Sequence, residues 1–306
     1  MVKSVFKKGK RYKIVIHIFF CLFSLLFILP FIMIISISFS SEELVTSTTG
    51  GYSLFPKGFT FDAYKLAFKN PESMIDAYFV TAFTSVVGTV LSVFVAAMTA
   101  YPLSRSCFRY KKIITWIIFF TMLFGGGTIP TYIIMTKYYH LGNSIWIYIL
   151  PGFMGGAWTT LMIRTFYKGI PESLFESAKL DGAKEFTIFF RIALPLSKPV
   201  IATVGFMGLV GKWNDWSTSL VYIRDSELYT LQYLLQRILN DAEFLKNLAK
   251  NPLLASSGLD VTTLLAQPSE TLKYAMCVVA AGPMLVIFPF FQKYFEKGMV
   301  VGSVKG

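Results

Sequence analysis

Lys212 and Asp215 stand three residues apart in an otherwise apolar run, with Trp213, Asn214 and Trp216 beside them. On a helix that spacing sets the ammonium and the carboxylate on one face, where they can pair. Ionisable groups inside a membrane span face the bundle interior or a water-filled cavity. Indole faces stack on sugar rings, and an Asn side chain both donates and accepts toward hydroxyls. These five residues can therefore line a path for a polyhydroxylated solute. They have an equally physical structural use, because Trp favours the outer interface belt and a Lys–Asp pair can simply fix helix packing.

Bond-breaking chemistry has no comparable set. The run GFMGLVGKW (205–213) suggests a P-loop, but its glycine spacing is wrong, Trp follows the lysine, and it lies in an apolar block. The chain is thus expected not to hydrolyse ATP by itself. Cys21, Cys107 and Cys277 are scattered, and His17 and His140 stand alone, so neither a disulfide framework nor a metal site is expected. No nucleophile is spaced to meet a base.

The surrounding elements are apolar blocks. Of the 306 residues 54% are hydrophobic and only 15% charged, against about 25% charged in soluble domains. A bilayer core needs roughly 20 apolar residues in a helix. Six blocks qualify, at about 15–38, 77–102, 113–135, 144–163, 198–221 and 272–292. The first follows a basic start but is longer than a signal-peptide core and lacks a small-residue cleavage site, so it is read as a retained helix. The net charge of +12 does not point to nucleic acid, because the cations crowd at block ends. With the N-terminus inside, 19 of the 29 Lys and Arg fall in cytoplasmic segments. The expected fold is all-α and membrane-embedded, with six spans and both termini cytoplasmic. Residues 1–14 form an inner segment, 15–297 the membrane domain, and 298–306 an inner tail. Two outer segments, at about 40–75 and 222–270, are long. The second contains LYTLQYLLQRILNDAEFLKNLAK, whose leucines predict an amphipathic helix, either a cap on the bundle or a docking surface. Gly and Pro in FGGGTIP (124–130) and GPMLVIFP (282–289) allow kinks or close helix approach.

The fourth and fifth blocks are joined by residues 166–197, which are polar enough to lie outside the bilayer. Pro171 and Glu172 suit a helix start. Leu174, Phe175 and Ala178 share an apolar side, with Glu176 and Lys179 elsewhere. Gly182 permits a turn that other residues resist. A second short helix is predicted from about Lys184 to Arg191, exposing Phe186, Phe189 and Phe190, stopped by Pro195, with Pro199 opening the next span. Two helices joined at a glycine and held between two spans make a knob that can transmit a push. A plain amphipathic loop on the membrane face is the simpler alternative.

This segment resembles the EAA loop of binding-protein-dependent ABC importer permeases: Glu-Ala-Ala, three residues, Gly, nine residues, Ile-x-Leu-Pro. Glu176, Ser177 and Ala178 match its start, with Ser for the middle Ala. Gly182 follows after three residues, and Ile192, Leu194 and Pro195 after nine more. GKWNDW (211–216), LYTLQYLLQRIL (228–239) and the end of the chain from 288 to 306 resemble the maltose-permease-like, carbohydrate-uptake branch, and more narrowly permeases for complex oligosaccharides in Gram-positive bacteria. The resemblance implies a six-span permease of the plasma membrane with no bound cofactor, working with a second homologous permease. It also implies two ATPase subunits that hold ATP and Mg, an extracytoplasmic solute-binding lipoprotein, and a sugar as cargo. It assigns coupling to Glu176, Ser177, Ala178, Asp181 and Gly182, with Leu194 and Pro195 shaping the knob. An ion-driven secondary transporter would carry more buried ionisable groups and an internal repeat, and a membrane enzyme would need a catalytic cluster. A peptide or amino-acid permease of the same class remains the nearer alternative.

Overall fold

The computed structural model describes residues 2–47, 51–154, 156–249 and 270–303, and among them there is helix and no strand. In chain order the helices are α1 (Val2–Ser38), α2 (Glu42–Thr46), α3 (Asp62–Ala67), α4 (Pro71–Ser104), α5 (Lys111–Leu123), α6 (Thr128–Ile133) and α7 (Ala157–Lys168). There follow α8 (Glu172–Leu180), α9 (Glu185–Ile188), α10 (Leu194–Leu196), α11 (Lys198–Trp213), α12 (Ser217–Tyr222), α13 (Leu231–Ala249) and α14 (Glu270–Ser303). Much of the outer segment 222–270 and the end of the tail lie outside the described residues.

Three single helices are long and apolar enough to cross a bilayer: Tyr12–Ser38, Pro71–Ser104 and Glu270–Gln292. The other three expected spans are not straight helices. Lys111–Leu123 and Thr128–Tyr138 meet at 110°, because Gly125, Gly126 and Gly127 interrupt the ladder and Gly127 takes a positive φ of 82°. The fourth block opens with 3₁₀ turns, Ile145–Tyr148 and Leu150–Met154, before α7 begins. The fifth ends early at Trp213, and α12 starts afresh after a break.

The chain divides into two compact units, Met1–Asn70 with Leu235–Gly282, and Pro71–Leu234 with Pro283–Gly306. In the first, α1 buries none of its most apolar stretch within the chain, as suits a surface solvated by hydrocarbon or covered by a second protein. Just past α1, Phe39 packs against Phe59, Phe61 and Tyr64 at ring separations of 4.9–5.6 Å. The Glu42 carboxylate accepts from the backbone N–H of Glu270 (3.0 Å) and of Thr271 (2.9 Å) and from the Thr271 hydroxyl. It so caps the N-terminus of α14, where orphan donors and the helix dipole favour an anion.

The second unit is built on α4, which packs against α7 and α11. Its small residues Ala96, Ala97 and Ala100 are fully buried and let neighbouring backbones approach, the usual currency of helix association in lipid. Beside them Tyr101, Ile163, Tyr167, Phe175, Ile188 and Phe189 form one continuous core. That core therefore runs from α4 into the 166–197 segment and fixes the segment in place.

Candidate functional site: a two-helix knob and the broken fifth span

Within 166–197, α8 packs Phe175 inward and leaves Glu176, Ser177 and Leu174 in the open, with Ala178 half-buried. Leu174 therefore does not share the buried side with Phe175, as the spacing had suggested. The turn is made by Asp181 and Gly182. The Gly182 φ is +78°, and a Cβ placed there would meet nothing within 4 Å. Gly182 N–H donates to the Lys179 carbonyl and Ala183 N–H to that of Ala178, which closes the end of α8 in the manner of a glycine C-cap. The tip is bare: Leu180 is 89% exposed, and Asp181 and Gly182 are exposed beside it.

The second helix is longer than expected. Glu185–Leu196 is continuous through a π-turn at Phe189–Ala193, in which Leu194 N–H reaches back to the Phe189 carbonyl. Pro195 does not stop it. The wider turn accommodates a residue that lacks a donor and would clash in an α-helix. The break falls at Ser197, buried, after which α11 leaves at 76°. Phe186 and Phe190 are exposed as expected, but Phe189 is buried against Tyr101, with ring centroids 5.5 Å apart. Leu194 is half-buried and Pro195 exposed.

Side chains on α4 and the loop after it hold the knob. The Tyr101 hydroxyl donates to Glu185 Oε2 (2.7 Å), and Lys179 Nζ lies 2.6 Å from Glu185 Oε1. The hydrogen bond that the Lys179 ammonium donates to Glu185 holds it above its ordinary pKa. The Arg105 guanidinium sits 4.0 Å over the Phe175 ring, and Ser106 Oγ donates to Glu172. Arg164 Nε donates to the Leu103 carbonyl (3.0 Å), tying α7 to the same corner. No sequence spacing connects Tyr101 or Arg105 to residues 84 and 67 positions away. Arg105 reads locally as one more topology-setting charge, and only the fold reveals its second use.

The Lys212–Trp216 group does not stay together on one helix face. Lys212 turns inward, and its Nζ donates to the Tyr148 carbonyl (2.8 Å) and makes no ion pair with Asp215. Asp215 instead caps α12, accepting from Thr218 N–H (3.1 Å) and from the Ser217 and Thr218 hydroxyls. That cap is the physical reason the fifth span breaks. Trp213 is buried, whereas Asn214 and Trp216 are exposed. Asn214 Oδ1 accepts from Gln232 Nε2 at 3.3 Å. Behind Asp215, Tyr148, Ser219 and Thr230 form a buried hydroxyl chain with links of 2.7 and 2.8 Å. No group of three or more His, Cys, Asp or Glu is placed for a metal among the described residues.

Gly88 is what gives Lys212 its place. A Cβ on Gly88 would lie 2.9 Å from both Lys212 Cε and Nζ. Gly88→Ala is thus expected to push the ammonium off its carbonyl and to cost about 1–3 kcal/mol, the penalty of a buried polar group left unpaired. In a Lys212→Ala background the added methyl fills a vacated space, so the same change should be neutral or stabilising. Thermal unfolding of the four purified proteins reads this reversal of sign, and equal effects in both backgrounds would refute it.

Residues 88–301 match the family described as "Binding-protein-dependent transport system inner membrane component". The chain is 36% identical over 304 residues to the polygalacturonan/rhamnogalacturonan transport system permease protein YtcP of Bacillus subtilis, covering 98% of this chain and 100% of that one. It is 40% identical over 281 residues to Protein LplC of the same organism, covering 91% and 90%. A crystal structure of a bacterial ABC transporter involved in the import of the acidic polysaccharide alginate contains a chain that superposes with a TM-score of 0.71 at 29% identity, covering 94% of this chain and 97% of that one. Family match, full-length relatives and shared fold agree: this chain is a member of the inner-membrane permease family of binding-protein-dependent transport systems.

Proposed function

We propose that the chain is one of two permease subunits of an ATP-driven importer and passes a sugar or oligosaccharide inward by alternating access. Relatives named for the transport of polygalacturonan/rhamnogalacturonan, arabinooligosaccharides and galactooligosaccharides support a carbohydrate cargo. The observation that carries the mechanism is the knob. It keeps the family's spacing over residues 176–195, is bonded to α4 on one side and is bare on the other. In this reading Glu176, Ser177, Ala178, Asp181 and Gly182 form the face gripped by an ATPase subunit, while Leu194 and Pro195 keep the knob's shape. ATP and Mg stay with two ATPase copies, and the chain hydrolyses nothing itself. An extracytoplasmic binding lipoprotein delivers the sugar. Closure of the ATPases pushes the knobs, turns the bundles and opens the path outward; hydrolysis restores the inward-facing state. The excess of Lys and Arg at the inner block ends supports cytoplasmic termini in a bacterial plasma membrane, with the bent pairs Lys111–Leu123 with Thr128–Tyr138 and Ile145–Phe153 with Ala157–Lys168 counted as one crossing each and Lys198–Trp213 as a crossing apart from the knob helix before it.

The test is an Asp181→Cys variant, cross-linked in membranes of cells that make the whole transporter. An adduct containing the ATPase subunit, together with vesicle uptake that requires internal ATP, is the expected result. No protein adduct, with uptake driven by an ion gradient alone, would replace this reading with a secondary transporter. Within the same reading, Asn214 and Trp216 meet the cargo. Asn214→Ala and Trp216→Ala are each expected to slow uptake about ten-fold, the loss of roughly one charge-free contact. Normal rates with unchanged sugar preference would take both residues off the path.

A further inference from the structure

At the C-terminal end of α4, the following loop and the start of the second knob helix enclose a pocket of about 400 Å³. Its walls are mostly apolar, from Met98 and Pro102 of α4, Phe108 of the loop, and Phe186 and Phe189 of the knob. One cation lines it, Arg105, whose side chain is only 8% exposed. A guanidinium carries five N–H donors and stays charged. None of these donors makes a hydrogen bond among the described residues: Nε is buried without a partner, and Glu172 Oε1, 3.9 Å from Nη1, faces the charge as an ion pair without taking an N–H bond. Stacking on Phe175 engages the face of the group and leaves its edge unsatisfied. Buried N–H donors in that condition are costly, and the open edge of a guanidinium fits an oxyanion that can take two N–H bonds at once.

The neighbouring carboxylates leave that edge open. Glu185 is engaged by the Tyr101 hydroxyl and the Lys179 ammonium, Glu172 beside Arg105 accepts from Ser106, and Cys107 is a free thiol. Lys111, next along the loop, spends its ammonium on the Arg105 and Ser106 carbonyls. A site with open guanidinium N–H donors and apolar walls fits an amphiphile with a single negative charge. Its position names the source. α4 is one of the helices able to cross the membrane, and the basic loop RSCFRYKK begins where it ends, the level at which acyl chains meet headgroups. Basic pockets at that level take anionic lipid headgroups. We propose that this pocket binds one anionic phospholipid, with its phosphate on the edge of Arg105 and its first chain carbons against Met98, Phe108 and Phe186. This requires only that α4 spans the bilayer, and it is independent of what the knob's bare tip engages.

Native mass spectrometry of the full chain, purified with its partner subunits and offered phosphatidylglycerol or phosphatidylcholine, tests it. One retained phosphatidylglycerol is expected in the wild type. Arg105→Gln, which removes the charge, and Met98→Trp, which fills the pocket and keeps the arginine, should each lower its occupancy about ten-fold without changing phosphatidylcholine binding. If Arg105→Gln does not fold, Met98→Trp alone decides. Wild-type retention in the variants that fold would overturn the proposal. So would displacement of the lipid by an equal concentration of inorganic phosphate, which would make this a simple anion site. Binding by the isolated permease that vanishes on assembly would overturn it too, by giving the pocket to a protein partner.

Discussion

Replacing Gly182 with valine is expected to abolish uptake while the protein is still made and inserted. The residue holds φ at +78°, yet a Cβ there would touch nothing. The effect is therefore one of backbone preference and not of collision. A left-handed conformation costs an ordinary residue roughly 1–2 kcal/mol and is worst for a β-branched one. The turn relieves that strain by re-aiming α8 against the second knob helix, which moves Leu180 and Asp181 at the tip. A strain near 1.4 kcal/mol already shifts an equilibrium about ten-fold, so uptake by Gly182→Val should fall at least that far. ATPase stimulation by sugar-loaded binding protein should fall with it. Asn tolerates positive φ and should stay within about two-fold of wild type, with Ala between the two. Equal behaviour of Val and Asn would refute the conformational argument. Full uptake and stimulation in Gly182→Val would refute the coupling role.

Phe175→Ala is expected to have the largest effect on stability. The ring is 2% exposed and sits against Tyr101, with Arg105 stacked on its other side. α8, which carries this ring, belongs to none of the candidate spans, so here burial removes surface from water and the hydrophobic effect acts in full. Truncating a buried Phe costs about 3–5 kcal/mol, and the loss of the guanidinium's support adds to it. The purified protein should unfold roughly 6 °C or more below wild type, and protease should cut within 169–197 first. Phe175→Leu should lose less than half as much. A Phe175→Ala protein that melts with the wild type would show that the knob is not anchored through this core.

What was legible in the sequence was local. Hydropathy located the apolar blocks, and the 176–195 spacing located two helices on either side of Gly182, because turn and cap preferences act over a few residues. What was not legible depended on distant partners or on competition between local rules. Pro195 reads as a stop in any α-helical frame, and the π-turn before it changes that frame. Asp215 reads as a partner for Lys212 at helical spacing, yet a carboxylate just ahead of Ser217 and Thr218 gains more as a helix cap. Phe189 and Phe190 are indistinguishable in type, and only the presence of Tyr101 decides which of them is buried. The closely spaced glycines at 125–127 mark a kink, but nothing near them in the chain gives its 110°.

The cap that Glu42 places on α14 has a consequence for how the protein is made. Residue 42 leaves the ribosome more than 220 positions before the backbone N–H groups it will serve. Until then its carboxylate lacks the helix N-terminus it caps, while Phe39 beside it can already pack on Phe59, Phe61 and Tyr64. Formation of α14 is thus the event that completes the contacts of the segment following α1. A chain cut short before Glu270 would leave that segment held by its local contacts alone, although every residue in it had been synthesised.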